Sequence, residues 1–154
     1  MSGHPRDTKP VVTTPPRRLA LGLVLLLVSV AGCGGHAARP RDVVRAWSEA
    51  LKADDNERAA SLFAPNAAVV QGRVLLRLHT HADAVTWNTR LPCAGRIVAL
   101  KEDGSAVTAT FRLGDRKRSR CDGPPGAEAI ALFVVEHGKI ILWDQIGSQI
   151  ARGH

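Results

Sequence analysis

Residues 128–146, EAIALFVVEHGKIILWDQI, contain two apolar runs rich in β-branched residues and joined by His137-Gly138. This pattern predicts a long β-hairpin with a two-residue turn, in which Glu136 pairs with Lys139. Both faces of the hairpin are mainly apolar. We therefore expect a central hairpin that is covered on both sides, because a solvated hairpin would alternate apolar and polar residues.

The register of this hairpin assigns its side chains to two faces, because residues on opposite strands that pair share a face. One face is predicted to carry Ile130, Leu132, Val134, Ile141, Trp143 and Gln145. The other is predicted to carry Ala131, Phe133, Val135, Ile140, Leu142 and Asp144. One face must therefore meet the helices of the chain, and the other must meet something else.

The charge of the chain is concentrated in two segments. The 154 residues carry a formal net charge of +7 and suffice for one domain with an N-terminal targeting region. Residues 1–32 account for +3, and residues 112–120 account for the remaining +4, with five basic side chains against Asp115. Nucleic-acid-binding surfaces usually combine basic side chains with aromatic stacking partners, which residues 112–120 lack. We expect a solvated basic loop and no nucleic-acid partner.

The N-terminus has the pattern of an export signal. Residues 1–18 are polar and end in two arginines, and residues 19–30, LALGLVLLLVSV, are apolar. This apolar segment is shorter than the about 20 residues that a membrane-spanning helix needs. It is therefore predicted to be a signal peptide, and the paired arginines leave export by the twin-arginine route open.

Cys33 follows Ala31-Gly32 at the end of the apolar segment, and this arrangement resembles the lipobox of bacterial lipoproteins. The resemblance implies a signal peptide over residues 1–32 and lipidation of Cys33, including palmitate. It also implies attachment to the cell membrane on its extracytoplasmic side, through a tether at residues 33–39. The alternative is an uncleaved signal anchor in which Cys33 is incidental.

Helices are predicted in the first half of the remaining chain. Pro40 suits the first position of a helix, and apolar residues recur at helical spacing over residues 43–51. A second, short helix ends before Pro65. Thr80 and Asp83 fit a capping box that begins a third helix, which ends near residue 90.

Strands are predicted on either side of the third helix. Residues 67–71 and 74–78 read as a short strand pair. Residues 95–102 and 105–113 flank Asp103-Gly104, a dipeptide typical of tight hairpin turns. The apolar face of that hairpin, which goes inward, is predicted to carry Val98, Leu100, Val107, Ala109 and Phe111.

This order of elements resembles the nuclear transport factor 2-like superfamily, which includes polyketide cyclases, ketosteroid isomerase and limonene epoxide hydrolase. Residues 43–71, VVRAWSEALKADDNERAASLFAPNAAVVQ, resemble its first two helices and first strand. Residues 138–146, GKIILWDQI, resemble its closing strand. The resemblance implies an α+β domain over residues 40–150, with a cone-shaped, curved mixed or antiparallel sheet wrapped around three N-terminal helices.

The catalytic residues of these enzymes are not reproduced. Gln71 stands where the isomerase has its general-base aspartate, and the chain has no tyrosine to match its oxyanion donor. Gln145 stands at the position of a hydrolase aspartate, and Asp144 points to the opposite face. We expect a non-catalytic module that binds a small molecule or a protein at the cell envelope. The alternative is an isomerase, cyclase or epoxide hydrolase-like enzyme that uses residues such as Asp83 or Arg96.

The resemblance also implies a cavity beneath the helices. Its predicted lining is Gln71, Ile130, Leu132, Ile141, Trp143 and Gln145. An apolar cavity with two carboxamides holds an apolar small molecule through hydrogen bonds that do not titrate, and no cofactor is expected. The outer face of the 128–146 hairpin predicts a homodimer, unless residues 147–154 or 122–126 cover it.

Cys93 and Cys121 are the cysteines that remain once Cys33 is lipidated. In an exported domain two such cysteines predict a disulfide bond. His79 and His81 do not match a standard zinc-ligand spacing with them, and oxidised cysteines do not bind metal. We therefore predict no metal site.

Overall fold

A computed structural model describes residues 38–124 and 126–149. Its elements are α1 (Pro40–Lys52), α2 (Asn56–Ser61), β1 (Phe63–Gln71), β2 (Val74–Leu78), α3 (His81–Arg90), β3 (Ala94–Asp103), β4 (Ala106–Gly114), β5 (Glu128–Glu136) and β6 (Lys139–Gln149). The predicted signal peptide and the lipidation site Cys33 lie outside the described residues. Within the described residues, no helix has the length and apolar character needed to span a membrane.

The strands form one six-stranded sheet in the order β2-β1-β6-β5-β4-β3. β1 pairs with β6 in parallel, and every other neighbouring pair is antiparallel. The helix α1 packs on β3, β4 and β5. The predicted fold class, an α+β domain with a curved mixed sheet against three helices, is confirmed.

The helices begin and pack as their sequences dictate. In α1 the residues at helical spacing, among them Val44 and Leu51, are buried against the sheet. The predicted capping box of α3 is present, because Thr80 Oγ1 accepts from the Asp83 N–H and Asp83 Oδ2 accepts from the Thr80 N–H. Each cap satisfies backbone donors that would otherwise lack a partner.

Aromatic side chains form the centre of the core around Trp47. Its ring centroid lies 5.3 Å from that of Phe133, 5.9 Å from Phe111 and 6.3 Å from both Trp87 and Trp143. Each such pair contributes about 0.5–1.5 kcal/mol beyond the burial of area. These five residues come from five different elements, so the cluster ties α1 and α3 to the sheet.

The predicted register of the β5–β6 hairpin holds at its turn, where Glu136 pairs with Lys139, and is wrong beyond it. An extra residue at Ile141 shifts the pairing, so that Val134 lies opposite Leu142. A bulge of one residue exchanges the faces on which the following partners meet. Residues of β5 that were assigned to the outside therefore face the helices.

The side chains predicted to form an outer apolar patch lie largely in the core. Ala131, Phe133, Val135 and Ile140 are all buried, and each belongs to the core cluster. By strand alternation the opposite face carries half-buried aliphatic residues, namely Ile130, Leu132, Val134 and Leu142. The homodimer remains a prediction. Its interface is now expected on the face that carries these four half-buried residues.

A similar shift occurs in β3. The predicted turn at Asp103-Gly104 is one residue off, because Asp103 pairs with Ala106 and the turn is Gly104-Ser105. Leu100 therefore pairs with Ala109 and not with Val107, and an extra residue at Val98 places Ile97 opposite Phe111. Val98 is consequently 38% exposed, whereas Ile97 packs on the core.

The basic segment 112–120 is anchored by one buried side chain, Arg116. Its Nε donates to Asp54 Oδ1 at 2.7 Å, and its Nη1 donates to the carbonyl oxygens of Asn88 and Leu91 at 2.8 Å each. Burial raises the pKa of Asp54, but the Arg118 N–H and the Arg116 guanidinium outweigh this effect and hold the pKa below its usual value. The segment is therefore docked through Arg116 onto α2 and α3, while its other basic side chains are exposed.

Candidate ligand-binding cavity

A cavity of about 240 Å³ lies between α1 and the inward face of the sheet. Its walls are mainly apolar and include Trp47, Leu51, Phe111, Leu113 and Trp143. Its polar side chains are Ser48, Gln71, Asp122 and Gln145. Such a site, apolar with a few polar groups, is typical of small-molecule binding.

Gln71 and Gln145 are brought together by the parallel pairing of β1 with β6. They are direct partners in the register, and Gln71 Nε2 donates to Gln145 Oε1 at 3.0 Å. Two positions earlier the same register pairs Val69 with Trp143, whose indole is buried. Because side chains on one strand alternate, Trp143 and Gln145 reach the same face.

The other hydrogen-bonding groups beside the cavity are mostly committed. Ser48 Oγ donates to the Gly95 carbonyl oxygen at 2.7 Å, and Trp47 Nε1 donates to Asn88 Oδ1 at 2.9 Å. Trp143 Nε1 is buried and has no hydrogen-bond partner within the described residues. Among the described lining residues, the unused hydrogen-bonding groups are therefore those of the two carboxamides, the Trp143 indole N–H and the exposed Asp122 carboxylate.

Gly95 shapes one wall by close approach. A Cβ atom at this position would lie 2.6 Å from the Cβ of Phe111, a distance that real Cβ contacts do not show. Only glycine therefore lets β3 bring its backbone against the Phe111 side chain. The Gly95 carbonyl oxygen at this point is the acceptor for Ser48.

Charge is sparse at the cavity. Of the lining residues that the structure describes, only Asp122 is ionisable, because Cys93 is in the disulfide bond, and Asp122 is exposed. Asp83 and Arg96, the catalytic residues of the enzyme alternative, do not line it. Asp83 instead caps α3, where hydrogen bonds from Thr80 lower the pKa of its carboxyl group. Among the described residues, the lining of the cavity thus brings no two titratable side chains together.

Three of the six residues predicted to line the cavity do so, namely Gln71, Trp143 and Gln145. The other three, Ile130, Leu132 and Ile141, do not line it. Their displacement follows from the altered register of β5 and β6. Trp47, which also lines the cavity, was not among the residues predicted to do so. The sequence signal that could have identified Trp47 was its position on the apolar face of α1, which packs on the sheet.

The predicted disulfide lies at the edge of the cavity. The sulfur atoms of Cys93 and Cys121 are at bonding distance, with their Cα atoms 4.5 Å apart. Asp122 is close to both, but sulfurs bonded to each other do not ligate a metal ion. His79 forms a hydrogen bond with Asn66, and His81 forms one with Glu57. The structure does not bring either histidine together with the cysteines.

No protein-family profile and no curated protein sequence matches the chain. Solved structures do match. One is a nuclear transport factor 2-like protein of unknown function from Cytophaga hutchinsonii, with 14% identity and a TM-score of 0.57 over 71% of this chain and 90% of that chain. An LEH-like epoxide hydrolase from M. tuberculosis has 18% identity and a TM-score of 0.54 over 68% and 79%.

A third similar structure is a protein with a ketosteroid isomerase-like fold from Catenulispora acidiphila, in complex with trimethylamine. It has 17% identity and a TM-score of 0.57 over 71% of this chain and 87% of that chain. The fold of this chain is therefore nuclear transport factor 2-like. Identities this low establish the fold, and the function has to be argued from the site.

Proposed function

We propose that the protein is a lipid-anchored, non-catalytic small-molecule-binding module on the extracytoplasmic side of the cell membrane. The observation that carries the binding function is the mainly apolar cavity in which Gln71 and Gln145 are the paired polar groups. The lipid anchor rests on the sequence around Cys33, whose position after an apolar segment and two small residues resembles a lipobox.

The carboxamides favour binding over catalysis. A general acid or base works best when its pKa lies near the operating pH, and a carboxamide does not titrate there. A carboxamide does donate and accept hydrogen bonds, and thus orients a ligand within apolar walls. Burial of the ligand's apolar surface then supplies about 25 cal/mol per Å² toward binding.

Native mass spectrometry of the full-length protein, extracted from its own membrane in mild detergent, tests this proposal. We expect a bound small molecule that dissociates from the protein at higher collision energy. The mass of this molecule should be the same in repeated preparations. Ala129→Leu should abolish the bound mass because it fills the cavity. Thr110→Leu, a matched substitution on the opposite face of the sheet, should retain it. A bound mass that survives Ala129→Leu would place the ligand elsewhere.

A second candidate function, protein interaction, is favoured by β2. Its side chains Val74, Leu75 and Leu76 are 67%, 61% and 45% exposed. Within the described residues β2 pairs with β1 alone, so its other edge is open. An open strand edge with exposed aliphatic side chains is a template for the addition of another strand.

The charges at both ends of β2 select the partner. Arg73 and Arg77 are exposed and flank the aliphatic residues. In an antiparallel pairing of two copies centred on Leu75, Arg73 would lie opposite Arg77, and like charges there are destabilising. The occupant proposed for this edge is therefore an extended aliphatic segment of another envelope protein, flanked by acidic residues.

Calorimetric titration of the full-length protein with two synthetic peptides tests this second function. The acidic peptide Glu-Val-Leu-Val-Glu should bind more tightly than the basic peptide Lys-Val-Leu-Val-Lys. Replacing both Arg73 and Arg77 with glutamate should reverse the preference. Equal affinity for both peptides, or no binding of either, would remove the edge as a docking site.

A further inference from the structure

The paired carboxamides of Gln71 and Gln145 leave a defined set of hydrogen-bonding groups for a ligand. A carboxamide has two N–H donors and one carbonyl acceptor. The single bond between the two side chains leaves the Oε1 of Gln71 and the Nε2 amide protons of Gln145 unused by each other. Exchanging oxygen and nitrogen in both side chains again leaves one carbonyl and one NH₂ group. Under either assignment the pair presents an acceptor beside a donor.

The charged and polar groups that line the cavity restrict which ligand charges are favourable. Among residues 38–124 and 126–149, no lysine or arginine lines the cavity, and burial of an anion without a cationic partner is costly. Gln145 is half-buried and Gln71 is exposed, so a ligand without polar atoms would displace water only from the carboxamide groups that face the cavity. Each group left buried and unpaired in this way costs about 1–3 kcal/mol. Asp122, which would attract a cation, is exposed, so solvent and salt screen its charge. Together these effects favour a neutral molecule that both donates and accepts.

The size and walls of the cavity narrow the shape of the ligand. The volume of about 240 Å³ corresponds to about eight water molecules at ~30 Å³ each. Trp47, Phe111 and Trp143 supply flat aromatic surfaces around it. Such surfaces pack well against a planar ring in stacked or edge-to-face arrangements. A single ring or two fused rings suits this space.

We infer that the cavity binds a neutral planar ring compound with an amide-type edge, in which a ring N–H lies beside a C=O, as in a lactam. The ring packs among Trp47, Phe111 and Trp143, and the N–H and C=O pair with the free carbonyl and NH₂ of Gln71 and Gln145. This inference rests on the proposed small-molecule-binding function, and it adds the chemical class of the ligand.

Three probes with the same fused-ring skeleton test separately what the ring, the acceptor and the donor contribute to binding. Quinolin-2(1H)-one carries the donor and the acceptor, quinoline carries an acceptor alone, and naphthalene carries neither. The indole N–H resonances of the full-length, detergent-solubilised protein report the site, because the chain has three tryptophans and Trp47 and Trp143 line the cavity. The Trp87 resonance serves as a check on folding.

We expect quinolin-2(1H)-one to shift the Trp47 and Trp143 resonances with a Kd at least tenfold lower than that of naphthalene. Gln71→Leu and Gln145→Leu should each raise the Kd for quinolin-2(1H)-one to the value for naphthalene. Neither variant should weaken naphthalene binding. If a variant fails to fold, the comparison of the three probes on the unchanged protein still decides the ligand class.

The possible failures are distinguishable. Naphthalene or quinoline binding as tightly as quinolin-2(1H)-one would overturn the amide-edge ligand and leave the binding function intact. No shift of Trp47 or Trp143 with any probe would count against the binding function itself. A preference for a quaternary ammonium probe over all three would also overturn the neutral ligand, and would assign recognition to Asp122.

Discussion

Removal of the Cys93–Cys121 disulfide should lower the free energy of unfolding by about 3.6 kcal/mol. The two cysteines are 28 positions apart. A cross-link of that span removes closure entropy from the unfolded chain, by about 12 cal/mol/K in the chain-entropy model. At 25 °C this entropy corresponds to the value above. The effect acts mainly through the unfolded state, because Arg116 anchors the same segment in the folded state by separate contacts.

Urea denaturation measures this loss when the domain with the intact disulfide is compared with the double variant Cys93→Ser, Cys121→Ser. The double variant should also show a larger m-value, because an unfolded chain without a cross-link exposes more surface. Addition of a dithiol reductant to the unchanged domain should reproduce both effects. A loss below about 1 kcal/mol with an unchanged m-value would refute the entropic reasoning.

Four further predictions concern other parts of the chain. Arg116→Met should destabilise the domain by about 3 kcal/mol because it leaves buried acceptors unpaired. Asp54 has a lowered pKa in the folded state, so the stability that it contributes should be present above the ordinary pKa of 3.8 and be lost in acid below it. Measurement of the free energy of unfolding as a function of acid pH tests this loss. Cys33→Ser should leave an uncleaved precursor without labelled palmitate. Leu132→Glu should dissociate the predicted homodimer in light scattering, whereas Phe133→Glu should unfold the protein.

Features that depend on neighbouring residues were predictable from the sequence. The turn at His137-Gly138 is correct because few dipeptides accept its backbone, and both residues adopt positive φ angles. The α3 capping box is correct because Thr80 and Asp83 satisfy each other's backbone within one turn. The fold class followed from the order of such elements.

The role of Arg116 was not predictable in this way. In a segment with five basic residues, any one of them looks solvated, and nothing nearby marks Arg116 as buried. Its partner Asp54 is 62 positions away, so no local sequence pattern connects the two residues. Asp54 itself has a positive φ of 57°, a conformation that the sequence does not single out.

The register of β5 and β6 was not predictable because both candidate registers bury apolar side chains. Ile140, Ile141 and Leu142 are interchangeable in hydrophobicity, so periodicity does not reveal which of them is the extra residue. Strand alternation identifies a bulge only where one face is polar. Apolar residues on both faces of this hairpin therefore remove the signal that would have located it.

The bulge at Ile141 also determines where the cavity lies. In the regular register Leu132 would oppose Trp143 on the inward face, and its side chain would extend into the cavity. In the structure Trp143 pairs with Phe133, and Gln145 pairs with Ala131. The inward residues of β5 thus change from a bulky Phe133, which fills the core, to alanines at positions 131 and 129, which line the cavity. One extra residue in β6 keeps the larger aliphatic side chains outside and leaves the space next to Gln145 open to a ligand.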